Sequence, residues 1–330
     1  MERYTLVENR LVSPLKTSGD DDLKLRPQYL SEFIGQTKVK ENLKIAIQAA
    51  KARNEALDHV LLFGGPGLGK TTLANILANE LGVKATIGSA ALVKDKFALL
   101  GVFKRLQSDN EVFFMDEIHR LRIEAEEALY SILEDFKMDI VTPLKTREIK
   151  IRPFTFVGAT TRAGGISAPL RARFGIVQKL DYYPFEDLKI ILLRTADVLK
   201  LVLDSKIAEE IARRSRGTPR IANRLLRRVR DYAEVVGDGS LDLNSTEQAF
   251  KMLEIDNLGL DELDRRILST IVKKYDGGPV GIANLSTMVG EDPETIEDVC
   301  EPFLVQSGLI KRTPQGRVVT LEGHEHIGEW

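Results

Sequence analysis

Apolar and polar positions along the chain change their spacing near Tyr182. Up to that point, short apolar runs alternate with helically spaced ones. His59-Val60-Leu61-Leu62-Phe63 is a run of the kind that forms a buried strand, and Thr71 to Ala78 follows it with helical spacing and neither Gly nor Pro. Glu111-Val112-Phe113-Phe114-Met115 predicts a second buried strand, and Phe154-Thr155-Phe156-Val157-Gly158-Ala159 a third. Between them Ala125, Ala128, Leu129, Ile132, Leu133 and Phe136 recur every three or four residues, one apolar face of a helix over Ile123 to Phe136. Val39 to Ile47 predicts an amphipathic helix upstream, and Ile140 to Ile151, with Thr142-Pro143 between apolar runs, a β-hairpin or a loop. Strands alternating with helices predict an α/β domain with a parallel sheet and flanking helices.

Beyond Tyr182 the period is helical, first from Pro184 to Val198 and again from Ser205 to Arg214. Arg213 to Arg230 is the most basic stretch. Its Arg220, Arg224, Arg227 and Arg228 share one helical face, with Ile221, Leu225, Leu226 and Val229 opposite; such a face is ordinarily solvated, and the arginines after Arg220 could equally line a subunit interface. Leu253 to Gly259 reads as a junction. Helices around Leu263, Leu285 and Ile296 then lead to Leu309–Thr320, two short strands about a Pro-Gln-Gly turn. Three helices and a basic hairpin predict a winged helix. Its third helix carries Glu291, Asp292, Glu294, Glu297 and Asp298, which would repel DNA in a major groove, so nucleic-acid contact is expected at the wing, from Lys311, Arg312 and Arg317. The other use of such a fold is protein contact. His324-Glu325-His326 reads as a frayed, solvated tail. The expected organisation is a polar tail over 1–22, the α/β domain over 23–182, an all-α domain over 183–255 and a winged helix over 256–330.

Chemistry concentrates at three strand ends. Gly64-Gly65-Pro66-Gly67-Leu68-Gly69-Lys70-Thr71 fits the phosphate-cradling pattern G-x-x-x-x-G-K-[ST], between a strand and a helix as that pattern requires. Glycines let consecutive N–H groups face phosphate oxygens, Lys70 reaches the β- and γ-phosphates, and the Thr71 hydroxyl ligates Mg²⁺. After the second strand, Asp116 would hold Mg²⁺ and Glu117 would polarise the attacking water. After the third, Thr160 or Thr161 is placed to sense a γ-phosphate. Arg171 and Arg173 lie too far along the chain to join the phosphate loop; an arginine supplied by a neighbouring subunit is one use for them, surface ion pairing the other. Pro219 at a helix start makes Arg220 the first basic side chain fixed there, placed to project toward a nucleotide.

Composition narrows the class further. At 330 residues the chain exceeds one core, and 43% apolar with 29% charged residues is the balance of a soluble globular protein. A formal net charge of −2 gives no general affinity for polyanions, so nucleic-acid contact has to come from local patches. No apolar stretch is long enough to span a bilayer and Met1-Glu2-Arg3-Tyr4 opens no signal core, so a cytoplasmic protein without a membrane partner is expected. Cys300, the single cysteine, has no internal disulfide partner and is expected to pack in a helical core.

Taken in order, the phosphate loop with Thr72, Asp116-Glu117-Ile118-His119-Arg120-Leu121, Gly158-Ala159-Thr160-Thr161-Arg162, Arg171-Ala172-Arg173-Phe174-Gly175 and Arg216-Gly217-Thr218-Pro219-Arg220-Ile221-Ala222 resemble the RuvB family. These are the bacterial AAA+ motors of Holliday-junction branch migration, and the likeness runs from about Leu25 to Thr320. It implies a P-loop AAA+ domain, a helical lid and a winged-helix domain, using ATP and Mg²⁺. It gives phosphate and Mg²⁺ to Lys70 and Thr71, Mg²⁺ and water to Asp116 and Glu117, the first sensor to Thr161, the trans-acting arginine finger to Arg173 and the second sensor to Arg220. It adds nucleotide contacts at Leu25, Arg26, Gly67, Gly69, Thr72, Glu134, Asp135, Phe136 and Tyr183, and DNA contacts at Arg312 and Arg317. The implied partners are duplex DNA at four-way junctions, a RuvA-type junction-binding protein and five further copies in a homo-hexameric ring.

The chain departs from the family pattern at Ile87-Gly88-Ser89-Ala90-Ala91, at Lys94-Asp95-Lys96-Phe97, in a shortened hairpin over 141–147 that bears on partner docking, and at Pro293 and Gln315 in the winged domain. Two other readings share parts of the pattern. A clamp loader would depend on a sliding clamp and primer junctions, and a non-catalytic ATP-binding regulator would have no need of Glu117.

Overall fold

The computed structural model describes residues 25–141, 146–237 and 239–328. The predicted tail over 1–22 and the hairpin tip over 142–145 lie outside them. The chain divides into two compact units, one of them Leu23–Tyr182 and the other containing Tyr183–Trp330.

In the first unit, α1 (Thr37–Arg53) precedes β1 (Val60–Phe63), α2 (Lys70–Leu81), β2 (Ala85–Ser89), α3 (Lys96–Phe103), β3 (Glu111–Asp116) and α4 (Ile123–Asp135). The hairpin β4 (Lys137–Val141) and β5 (Thr146–Lys150), then β6 (Phe154–Thr160), the short α5 (Ala168–Arg171) and β7 (Ile176–Lys179) complete it. The sheet order is β2-β3-β6-β1-β7 with every pair parallel. Strands β1, β3 and β6 are central and covered on both faces, which is why their sequences are nearly continuous apolar runs. Phe103, Phe113, Phe154, Phe156 and Phe174 join α3 and α5 to the sheet in one aromatic cluster.

The second unit is helical up to its wing. Helices α6 (Phe185–Val198), α7 (Ser205–Arg213), α8 (Pro219–Val235) and α9 (Leu243–Met252) pack together, followed by α10 (Glu262–Tyr275) and α11 (Ile282–Val289). The next helix, α12, opens at Pro293–Thr295, passes through a π-helical stretch at Ile296–Cys300 and closes as Glu301–Gln306. Pro302 explains the widened turn, because it has no N–H to give and its ring would meet the carbonyl one turn back. Cys300 is buried in this core, as expected.

The wing is the antiparallel pair β8 (Ile310–Thr313) and β9 (Gly316–Val319). Two surface expectations are corrected here. The terminal histidines do not lie in a frayed tail: α13 (Leu321–Gly328) is helical, and His326 Nε2 lies 2.8 Å from the buried Asp256 Oδ2. The arginine face of α8 is not all solvated, since Arg224 is buried.

Candidate nucleotide site and nucleic-acid interface

Between β1 and α2 the chain uses glycine where a side chain has no room. A Cβ on Gly64, at φ +148°, would stand 2.4 Å from the Leu180 carbonyl oxygen. Gly67 and Gly69 are also left-handed, Gly69 as the N-cap of α2. The turn therefore ends on a helix start, whose first N–H groups have no acceptor within the helix itself. Lys70, the first residue of that helix, is buried, and its Nζ donates to the carbonyl oxygens of Gly64 and Gly65 at 2.9 Å each. A buried ammonium inside a loop of this kind suits a polyphosphate anion. Thr71 and Thr72 are half-buried in the same first turn.

Because β3 pairs with β6 and β6 with β1, residues leaving these three strands meet along one edge of the sheet. Asp116 ends β3, its Oδ1 accepting from the Glu117 N–H at 3.0 Å. Glu117, at φ +51°, accepts on Oε2 from the Thr161 hydroxyl at 3.0 Å and the Thr161 N–H at 3.3 Å, with His119 Nδ1 at 3.1 Å. Burial pushes the Glu117 carboxyl up, but His119, the charge of Lys70 and the Thr161 N–H outweigh it and hold the group below its ordinary value. An ionised, oriented carboxylate is what proton abstraction needs.

Of the two hydroxyls, Thr161 faces Glu117. Thr160 is buried and engaged with His119 Nδ1 at 2.9 Å and with the backbone of Arg162. His119, which ties Glu117 to the end of β6, was not predicted as a site residue; its position two residues past the acid was the only sign of it.

Arg173, Glu134, Asp135 and Phe136 gather at the opposite edge. Arg173 Nη2 lies 2.7 Å from Glu134 Oε2. The carbonyl of the adjacent Leu133 takes the His59 ring Nε2 at 2.9 Å, and the Phe136 ring centroid lies 6.1 Å from that of His59. Gly175 sits against Asp58. Asp58 and His59 precede β1, whereas the phosphate loop follows it, so these four residues stand at the amino ends of the strands and Lys70, Asp116, Glu117 and Thr161 at the carboxyl ends. One subunit cannot bring the two sets to a single nucleotide. Helix α5, leading to Arg173, is fastened to α4 at its start: Ser167 caps it and bonds Glu126 and Tyr130.

Leu25 and Arg26 open the described chain, Leu25 buried and Arg26 half-buried. Tyr183 and Arg220 belong to the second unit. Tyr183 is buried, its N–H donating to the Gly217 carbonyl at 2.9 Å, and Arg220 is half-buried in the first turn of α8. In the wing, Arg312 and Arg317 are register partners whose guanidinium groups converge on the buried Glu301 carboxylate. Arg317 also reaches Glu297 Oε1 at 2.6 Å and is 11% exposed, against 53% for Arg312. Among the described residues no helix is long and apolar enough to cross a membrane.

Three family models match successive parts of the chain from residue 25 to residue 328. The Holliday junction DNA helicase RuvB P-loop domain matches residues 25–180, the RuvB AAA lid domain 183–256 and the RuvB C-terminal winged helix domain 257–328. The Holliday junction branch migration complex subunit RuvB of Koribacter versatilis is 53% identical over 324 residues, covering 96% of this chain and 90% of the relative. The subunit of the same name from Streptococcus agalactiae is 51% identical over 317 residues, 94% of this chain and 95% of the relative. Among solved structures, the Thermotoga maritima RuvB Holliday junction branch migration motor is similar with a TM-score of 0.84 and 46% identity, over 92% of this chain and 98% of that one.

Proposed function

The chain belongs to the RuvB family, and from that premise we propose that it is an ATP-driven motor for branch migration of Holliday junctions in recombination and DNA repair. The observation that carries the reading is the division of the site between two sheet edges. Lys70, Asp116, Glu117 and Thr161 form the set for a subunit's own nucleotide, and Arg173 with Glu134–Phe136 forms the set offered to the next subunit's. A closed ring is the assembly in which every site is completed this way, and six copies is the number the family resemblance implies.

In this reading Lys70, Gly67, Gly69 and Thr72 bind the phosphates, with Leu25, Arg26 and Tyr183 near the nucleoside. Thr71 and Asp116 hold Mg²⁺, which when bound neutralises charge on the phosphate oxygens. Glu117, kept ionised and aimed by Thr161 and His119, takes the proton of the attacking water. Arg173 of the adjacent subunit stabilises charge developing in the transition state, an effect of roughly 10³–10⁵ in rate. Arg220 reports nucleotide state to the lid. The wing contacts DNA phosphates through Arg312, with Arg317 behind it. The partners are duplex DNA at a four-way junction and a RuvA-type protein docked by the β4–β5 hairpin, in the cytoplasm and in the response to DNA damage.

Steady-state ATP hydrolysis on a synthetic four-way junction, with and without the junction-binding partner and with strand separation read in the same samples, tests this reading. The expected result is stimulated turnover with partner-dependent resolution into duplexes. Turnover with no junction movement under any condition would overturn the motor assignment.

A further inference from the structure

Arg214-Ser215-Arg216-Gly217-Thr218 joins α7 to α8 directly ahead of Pro219 and Arg220. Arg216 has φ +52° and Gly217 φ +65°. The left-handed region is unfavourable for a long side chain, and the contacts of the Arg216 guanidinium show what holds it there. Its Nε donates to the Gly259 carbonyl oxygen at 2.7 Å, its Nη2 pairs with Asp264 Oδ2, and the guanidinium lies 4.9 Å from the Phe303 ring centroid. The side chain is 2% exposed and that of Asp264 is fully buried.

Asp264 belongs to the capping box that starts α10. Its N–H donates to Asp261 Oδ1 at 3.1 Å, and its Oδ2 accepts from the Asp261 N–H at 3.3 Å. A lid arginine thus inserts at the start of the first helix of the winged domain. Arg214 adds a second tie, with Nη2 3.0 Å from Asn257 Oδ1 and 2.9 Å from Glu247 Oε1 and its guanidinium 4.5 Å from the Phe250 ring centroid.

A junction between mobile domains is expected to be exposed, polar and sparsely bonded. Here Leu260 is buried, and the buried Asp256 accepts the N–H groups of Leu258 and Leu260 and meets His326. The segment is a strut.

We propose that Arg216 is the coupling residue of the motor: through Asp264 and Gly259 it makes the lid and the winged-helix domain move as one body. Movement of the helix start that carries Arg220 then reaches the wing undiminished. Arg216 acts through positioning and touches neither nucleotide nor DNA. This rests on the motor reading above, and it names the residue that converts a nucleotide response into displacement of DNA.

Two variants test it in the full chain. Arg216→Lys keeps the charge but loses the planar fork that serves Gly259 and Asp264 together; Asp264→Asn keeps the shape and removes the charge. Each is assayed for ATP turnover on duplex DNA and for four-way junctions resolved per ATP consumed, with the junction-binding partner present. Spin labels at Glu234→Cys and Glu294→Cys, both exposed positions, report the lid-to-wing distance in a Cys300→Ala background.

The expected result is turnover near wild type, junctions resolved per ATP reduced about tenfold, and a narrow distance distribution that broadens. Either variant suffices should the other fail to fold. An unchanged yield per ATP with a distribution as narrow as wild type would overturn the proposal. Wild-type protein that neither hydrolyses ATP nor moves junctions would instead remove the motor reading, and the spin-label distances would still decide whether Arg216 makes the two domains one body.

Discussion

The guanidinium of Arg173 lies 2.7 Å from the carboxylate of Glu134, at the amino ends of the strands, whereas Lys70 stands at their carboxyl ends. At this place Arg173 is out of reach of its own subunit's phosphate loop, so the proposed finger role requires another subunit's nucleotide. Arg173→Ala and Lys70→Ala should each lower DNA-stimulated turnover by about 10³ or more when assayed alone. Mixed after subunit exchange they should recover part of it, because one variant keeps an intact nucleotide set and the other an intact finger. Absence of any recovery in mixtures shown to co-assemble would count against completion of the site in trans.

Glu117 makes a separate prediction. Glu117→Gln should cut turnover by roughly 10²–10⁴ while leaving ATP binding in place, since the amide cannot accept the proton. The carboxyl lies below its ordinary 4.5, burial notwithstanding, because His119, Lys70 and Thr161 favour the charged form. In wild type this group therefore stays ionised as pH falls from 8 to 5, and turnover should show no acid limb from it there. His119→Gln removes one of those contacts, so the Glu117 value rises and the limb moves to higher pH. Turnover profiles of the two proteins with limbs at the same pH would show that His119 does not tune the base.

How much of this was legible in the sequence depends on what each segment packs against. Strands β1, β3 and β6 are covered on both faces and announce themselves as apolar runs. Strands β2 and β7 were not predicted, and they are the two edges of the sheet, where short sequences such as Ala85–Ser89 are only half-covered and alternate weakly. The phosphate loop, Asp116, Glu117 and Thr161 were readable because local spacing is itself the functional requirement. That Glu134–Phe136 and Arg173 stand at the opposite strand ends from Lys70 was not, since the parallel pairing of distant strands decides it. His326 looked like tail because its partner, Asp256, is 70 residues away.

Buried between β1, β6 and α4, His59 predicts a pH dependence of stability. Its Nδ1 accepts from the Phe156 N–H at 3.0 Å while Nε2 faces the Leu133 carbonyl oxygen, so the neutral ring satisfies both neighbours. Burial lowers its proton affinity below the ordinary 6.5, and the Leu133 contact and Asp58 only partly offset this. The unfolded chain then binds more protons than the folded one below 6.5, and stability falls as pH drops through that value toward the folded one. The slope is at most about 1.4 kcal/mol per pH unit for one group. Thermal melts from pH 5 to 8 should show this loss in wild type and a flatter profile for His59→Gln. Parallel profiles would place the acid sensitivity elsewhere.

The wing arginines divide their work, although both touch Glu301. Arg312 keeps about half its side chain in solvent and has donors to offer a phosphate; Arg317 is nearly covered and bonded to both Glu301 and Glu297. Arg312→Ala should therefore weaken duplex binding and reduce the slope of log affinity against log salt by about one, as expected when one phosphate contact is lost. Arg317→Ala removes one of the two cations facing a buried carboxylate, for which a cost of about 3 kcal/mol is the expected order, and its first effect should be on the melting temperature. Fluorescence anisotropy titrations between low and physiological salt, paired with thermal melts, separate the two. If Arg317→Ala melted with wild type and lost salt dependence as Arg312→Ala does, Arg317 would be a DNA contact in its own right, and Glu301 would hold both arginines out for the backbone.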